Sequence, residues 1–145
     1  MNAAMSPSVL DAPASVAPKS ISRARVWTGR VITGLVGAFL LWDAACKLLL
    51  LPIVVEHSAK VGLDKPRIIA IGLTLLVSLV VHSIPRTAVL GAVLLTGYLG
   101  GAVCTHVLFN DGAFPIGFAL TFGALVWTGL YLRDSRVGAL IQPKA

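Results

Sequence analysis

The chain has 145 residues and is 57% hydrophobic but only 12% charged, with a mean hydropathy of +0.88. A soluble domain carries charge on about a quarter of its residues, so twelve basic and six acidic side chains cannot coat a water-soluble bundle of this length. The net charge of +6 does not point to nucleic acid, because the basic residues flank apolar runs and form no recognition helix; they read as topology signals and contacts to anionic lipid.

Residues 1–25 are rich in Ala, Ser and Pro and end in Lys19, Arg23 and Arg25. The basic cluster comes last and no apolar core precedes it, so the segment is expected to be a disordered cytoplasmic tail rather than a signal peptide. The first apolar run follows Arg30 and spans residues 31–51, with Pro52 bending or stopping it. About 20 residues cross the hydrocarbon core at 1.5 Å each. The stretch 52–65 is the longest connection and is expected at the membrane interface, carrying Glu56 and His57. The second span covers residues 68–84, the third 87–109 and the fourth 114–132. Ser83-Ile84-Pro85-Arg86 reads as a tight turn. Asn110-Asp111-Gly112 reads as another, with Asp111 a candidate cap for the next helix and Pro115 tolerated in its first turn.

Helix is the only assignment that satisfies the backbone in lipid, since four open strands close no barrel and the runs lack a period of two. The expected fold is therefore all-α, a four-helix transmembrane bundle over residues 26–141 with a short tail at 142–145. Lys19, Arg23, Arg25, Arg30, Arg86, Arg133, Arg136 and Lys144 fall on one side, and only Lys60, Lys65 and Arg67 on the other. The positive-inside rule then puts both termini in the cytoplasm.

Asp43 and Lys47 are the strongest chemical signal. They lie inside the first span at i and i+4, on one helix face, in the order that favours pairing. Either charge alone costs about 3 kcal/mol at a bilayer centre. The pair either fixes helix packing or forms a polar site for a ligand, proton or quinone head group, and an ionisable group in lipid favours the second reading. Arg30 to Asp43 is about 20 Å of helix and Arg86 to Tyr98 about 18 Å, so Asp43 and Tyr98 share a depth. Thr105 and His106 lie further out, near the level of Lys47. These five residues are the candidate ligand-binding pocket, which Glu56 and His57 are placed to close. The plainer reading of His106 is an interfacial hydrogen-bonding residue. The three histidines have no metal-binding spacing, and no metal site or catalytic set is expected.

Cys46 and Cys104 fall at about 24 and 27 Å on the same count, which leaves open a disulfide between the first and third spans if their Cα atoms come within about 7 Å. The plainer reading is two small packing residues. Gly97 and Gly101 make a GxxxG spacing, with Thr96, Gly100 and Cys104 as an adjacent small stripe. Gly97, Gly100 and Gly101 are expected to let helices pack closely inside the bundle, homodimerisation being the competing use.

The run Gly91 to His106, with its Leu-Leu-Thr-Gly-Tyr-Leu-Gly-Gly-Ala stretch and following Thr-His, resembles the DoxX-like membrane proteins, as do the Ile84-Pro85-Arg86 turn and the closing Leu130 to Arg136. The resemblance covers roughly residues 26–141. It implies a compact four-helix inner-membrane protein, and the family name implies a small subunit associated with thiosulfate:quinone oxidoreductase or terminal oxidase complexes. It carries over no catalytic residue. The expected function is thus a subunit or accessory factor of a quinone-linked redox system, with quinone the cofactor that the pocket would meet. The alternatives are a small-molecule carrier and a structural partner of another membrane protein or of a second copy.

Overall fold

The computed structural model describes residues 22–135, 137 and 138. The tail up to residue 21 with Lys19, Arg136, and the closing segment with Lys144 lie outside the described residues. Five helices follow in order: α1 (Arg23–Leu48), α2 (Pro52–Lys60), α3 (Lys65–Ser83), α4 (Ala88–Leu108) and α5 (Ala113–Arg133). Four of them, α1, α3, α4 and α5, are long and apolar enough to cross a membrane. Their outer faces carry large apolar side chains: Leu35 is 69% exposed and Trp42 67%. Such faces are stable only against lipid.

Helix α1 starts at Arg23, well before the apolar run. Ser22 caps it by accepting from the Arg25 backbone N–H at 3.3 Å. Hydropathy marks the part of a helix immersed in hydrocarbon, not the helix itself. Arg25 stays at the membrane surface by laying its guanidinium 4.8 Å from the Tyr131 ring centre and donating to the Tyr131 carbonyl at 3.2 Å.

The connection 52–65 is not an irregular loop. α1 ends when Leu50 turns to φ +51 and the Leu51 N–H reaches back to the Cys46 carbonyl at 3.1 Å. Pro52 then opens α2 at its first position, where a missing N–H costs nothing. A proline read as a breaker is here an initiator. Gly62 at φ +73 ends α2, and Asp64 caps α3 by accepting from the Arg67 N–H at 3.1 Å.

The second corrected expectation is the cap at Asp111. Gly112, at φ +88, is the N-cap residue of α5, and no side chain caps that helix. The Asp111 carboxylate instead accepts from His106 Nδ1 at 2.8 Å, because the αL turn at Asn110 folds it back over the end of α4.

The four long helices form a square. α1 packs on α3 and α5, and α4 packs on the same two, so α1 and α4 stand at opposite corners. The core between them holds Leu40, Ala44, Leu75, Ala92, Leu95 and Leu130. At the Arg133 end the helices nearly touch. A Cβ on Gly29 would lie 2.8 Å from Leu132 Cβ, and one on Gly129 would lie 2.6 Å from Thr33 Oγ1. A Cβ on Gly91 would collide with the backbone N and Cα of His82.

Within the bundle, Gly97, Gly100 and Gly101 make no such close approach, and their competing use in homodimer packing is a matter of contacts between chains. A Cβ at any of the three would meet nothing within 4 Å. The close approaches of Gly29, Gly91 and Gly129 fall where the helices converge at the Arg133 end; Gly72 makes a separate one, against Lys47 and Leu48 on the α1–α3 seam.

His82 anchors the converging end. Its Nδ1 lies 2.9 Å from the Ala88 carbonyl, which only accepts, so the ring donates there. Its Nε2 faces Arg133 Nη2 at 3.4 Å, which only donates, and Arg133 also donates to the His82 carbonyl at 3.2 Å. The partners assign a neutral ring with its proton on Nδ1, joining the α3–α4 turn to the end of α5.

Candidate ligand-binding cavity

Where the helices separate, they enclose a cavity of about 780 Å³ in the half of the bundle nearer α2. All five residues of the expected pocket line it: Asp43, Lys47, Tyr98, Thr105 and His106. His57 lines it too, from α2, whereas Glu56 does not.

Asp43 and Lys47 sit one turn apart on α1, and Lys47 Nζ donates to Asp43 Oδ1. Their side chains are only 33% and 19% exposed respectively, so the pair is largely withdrawn from solvent. Tyr98 reaches across the square from α4, its hydroxyl 3.4 Å from Asp43 Oδ2. Lys47 fits between α1 and α3 because Gly72 faces it: a Cβ there would come within 2.9 Å of Lys47 Cβ.

The remaining polar groups are satisfied locally. Thr105 Oγ1 donates to the Gly101 carbonyl at 3.0 Å, and Thr74 Oγ1 to the Ala70 carbonyl at 2.9 Å. His106 pairs with Asp111, not with Asp43. Both carboxylates, Asp43 and Asp111, already hold donors. Lys47 uses one of an ammonium's three N–H groups on Asp43, so two remain. The polar wall therefore suits a head group that accepts hydrogen bonds, and disfavours a cation.

The wall beside it, along the α1–α5 seam, is aromatic. Phe39 of α1 meets Phe118 and Phe122 of α5 at ring-centre distances of 5.3 and 4.7 Å. Phe114 extends the row, 6.1 Å from Phe118. Sequence reasoning missed this wall. Phe114, Phe118 and Phe122 recur every four residues, which is a legible helical stripe, but nothing in the chain joins Phe39 to it.

Gly97 and Gly101 also line the cavity. They leave the α4 backbone bare there. Cys46 and Cys104 are both free, and Cys104 is exposed. No disulfide forms between them, since α1 and α4 occupy opposite corners.

A family comparison decides what kind of chain this is: the model of the DoxX-like family matches residues 31–129. The chain belongs to the DoxX-like family. The matched residues include every residue that lines the cavity, from Phe39 to Phe122, with Asp43, Lys47, Tyr98, Thr105 and His106 among them. No curated protein and no solved structure matches the chain. With four apolar helices of spanning length, this DoxX-like protein is a multi-pass membrane protein.

Proposed function

We propose that this DoxX-like protein binds a lipid-soluble amphipathic molecule in its cavity and serves as a subunit or accessory factor of a quinone-linked redox system. The observation that carries the reading is one chamber lined by both an ammonium-bearing polar cluster and four phenylalanine rings. A quinone suits both walls. Its ring carbonyls accept hydrogen bonds, as the free donors of Lys47 require, and its flat ring stacks on aromatic side chains.

Orientation follows from charge. Arg23, Arg25, Arg30, Arg86 and Arg133 gather at the ends of α1, α3, α4 and α5 away from α2, while Lys60, Lys65 and Arg67 lie at the α2 end. The five-to-three excess supports cytoplasmic termini in a bacterial-type inner membrane, with the cavity in the outer half of the bilayer. A phosphatase reporter, active only outside the cytoplasm, is expected to be silent when fused after Ala145 and active when inserted after Gly62; the reverse pattern would invert the topology.

Ligand binding is tested by extracting the detergent-purified protein with organic solvent and measuring the quinone it carries. Gly97→Leu and Gly101→Leu put apolar bulk into a chamber where nothing stands within 4 Å. Folding should survive, and bound quinone should fall about tenfold, a loss of roughly 1.4 kcal/mol or more in binding. Quinone content at background in the unaltered protein, or unchanged in both plugged variants, counts against the reading.

A further inference from the structure

The cavity has four side walls, one for each seam between neighbouring helices, and an end flanked by α2, which packs on α1 and α3. Val54, His57 and Ser58 of α2 all line the cavity, so a solute arriving from water meets this helix first. The α1–α3 seam is closed by close packing of Gly72 against Lys47 and Leu48. The α4–α5 seam is tied midway by Trp127 Nε1, which donates to Thr96 Oγ1 at 2.9 Å, and Leu99 packs 3.8 Å from the Cβ position of Gly123 at the cavity.

The α1–α5 seam is built differently along its length. At the Arg133 end it is closed by backbone approach, at Gly29 and Gly129. In the cavity half, rings fill it: Phe39 from one helix against Phe118 and Phe122 from the other, with Phe118 and Phe122 themselves 4.5 Å apart. These rings line the cavity. Part of their surface stays exposed, towards the cavity or the outside: 42% for Phe39, 39% for Phe118 and 81% for Phe114. A barrier of side chains opens by rotamer changes, with no helix hydrogen bond broken, whereas a glycine-to-backbone contact opens only if whole helices move.

We propose that the cavity loads sideways from the bilayer, through the α1–α5 seam, with Phe39, Phe118 and Phe122 as the gate. The ligand is then a lipid-dissolved amphipath whose hydrogen-bond-accepting head reaches Lys47 and whose apolar body follows through the rings. Entry from water past α2 is the competing route, which bridging the seam separates from this one. The inference rests on the reading that the cavity binds a small molecule, and adds its route and physical class.

The test uses the full chain in lipid nanodiscs, with Cys46→Ser and Cys104→Ser as background and Phe39→Cys with Phe118→Cys added. A bis-methanethiosulfonate linker bridges the seam and is removed by reduction. The probe is a fully substituted decyl benzoquinone, followed by quenching of Trp42 and Trp127 in stopped flow. Bridging is expected to slow association about tenfold, with recovery after reduction of the same sample. Saturable quenching whose rate ignores the bridge overturns the route and leaves the binding reading standing. No saturable quenching in the unbridged protein removes both. Phe39→Leu, in the otherwise unaltered chain, gives a second readout that needs no cysteines. A smaller gate residue should raise association and dissociation rates together by about threefold, and unchanged rates would again overturn the route.

Discussion

Asp43→Asn is expected to destabilise the protein by about 2 kcal/mol, because it leaves the Lys47 ammonium in the membrane without its counter-ion. A charge at the centre of a spanning helix costs about 3 kcal/mol on insertion scales. The cavity moderates this, since the Lys47 side chain keeps 19% of its surface exposed. Lys47→Met has a similar sign but a smaller effect, as Tyr98 still offers Asp43 a hydroxyl. The double variant Asp43→Asn with Lys47→Met removes both charges and is expected to recover most of the lost stability, as buried ion pairs replaced by neutral groups commonly do. Unfolding in detergent micelles, followed by heat or by added denaturing detergent, measures all three. The double variant also separates two roles. If the pair only holds helices together, restoring stability restores everything. If Lys47 holds a ligand head group, the refolded double variant still loses bound quinone. Additive rather than compensating losses in the double variant would show that the two charges do not act as a pair.

Gly91→Ala is expected to have the larger effect, about 3 kcal/mol or more, at the upper end of overpacking costs. The added methyl group would overlap the backbone of His82, which cannot rotate aside. α3 and α4 are joined by the short turn from Ile84 to Thr87, whose Thr87 Oγ1 donates to the Val81 carbonyl at 2.8 Å. The two helices must therefore part at their most constrained point, pulling His82 Nδ1 from the Ala88 carbonyl and disturbing the Arg133 contacts. Gly100→Ala is the matched control on the same helix. Nothing lies within 4 Å of its Cβ position, so the same chemical change is expected to leave melting in detergent unaltered or slightly raised. Equal effects at the two positions would refute the convergence of the bundle at the Arg133 end.

Much of the candidate site was legible in the chain. Asp43 and Lys47 announce themselves because ionised groups are too costly in lipid to stand unpaired, and their spacing places them on one helix face. Tyr98, Thr105 and His106 follow from counting helical rise inward from flanking arginines, a count that works because spans in a bilayer start from common planes. The partnerships were less legible. Depth said that His106 lies near Lys47, but not that the αL turn at Asn110 would hand it Asp111 instead. Pro52 looked like a stop, although the same residue is equally at home in a first turn. The phenylalanine wall needs α1 and α5 to be neighbours, a fact of helix arrangement carried by no local pattern.

Taken alone, the sequence pointed to lipid as the solvent, to four helices of spanning length and to the register of each polar group along its helix, because the energy of a residue in hydrocarbon depends on its own chemistry. Only the tertiary structure decided which glycines touch, since a small residue permits close approach without compelling it: Gly29, Gly91 and Gly129 lie where the helices converge, and Gly97, Gly100 and Gly101 where they part. That divergence, set by the angles between helices rather than by any one span, turns a run of small residues into the wall of a chamber.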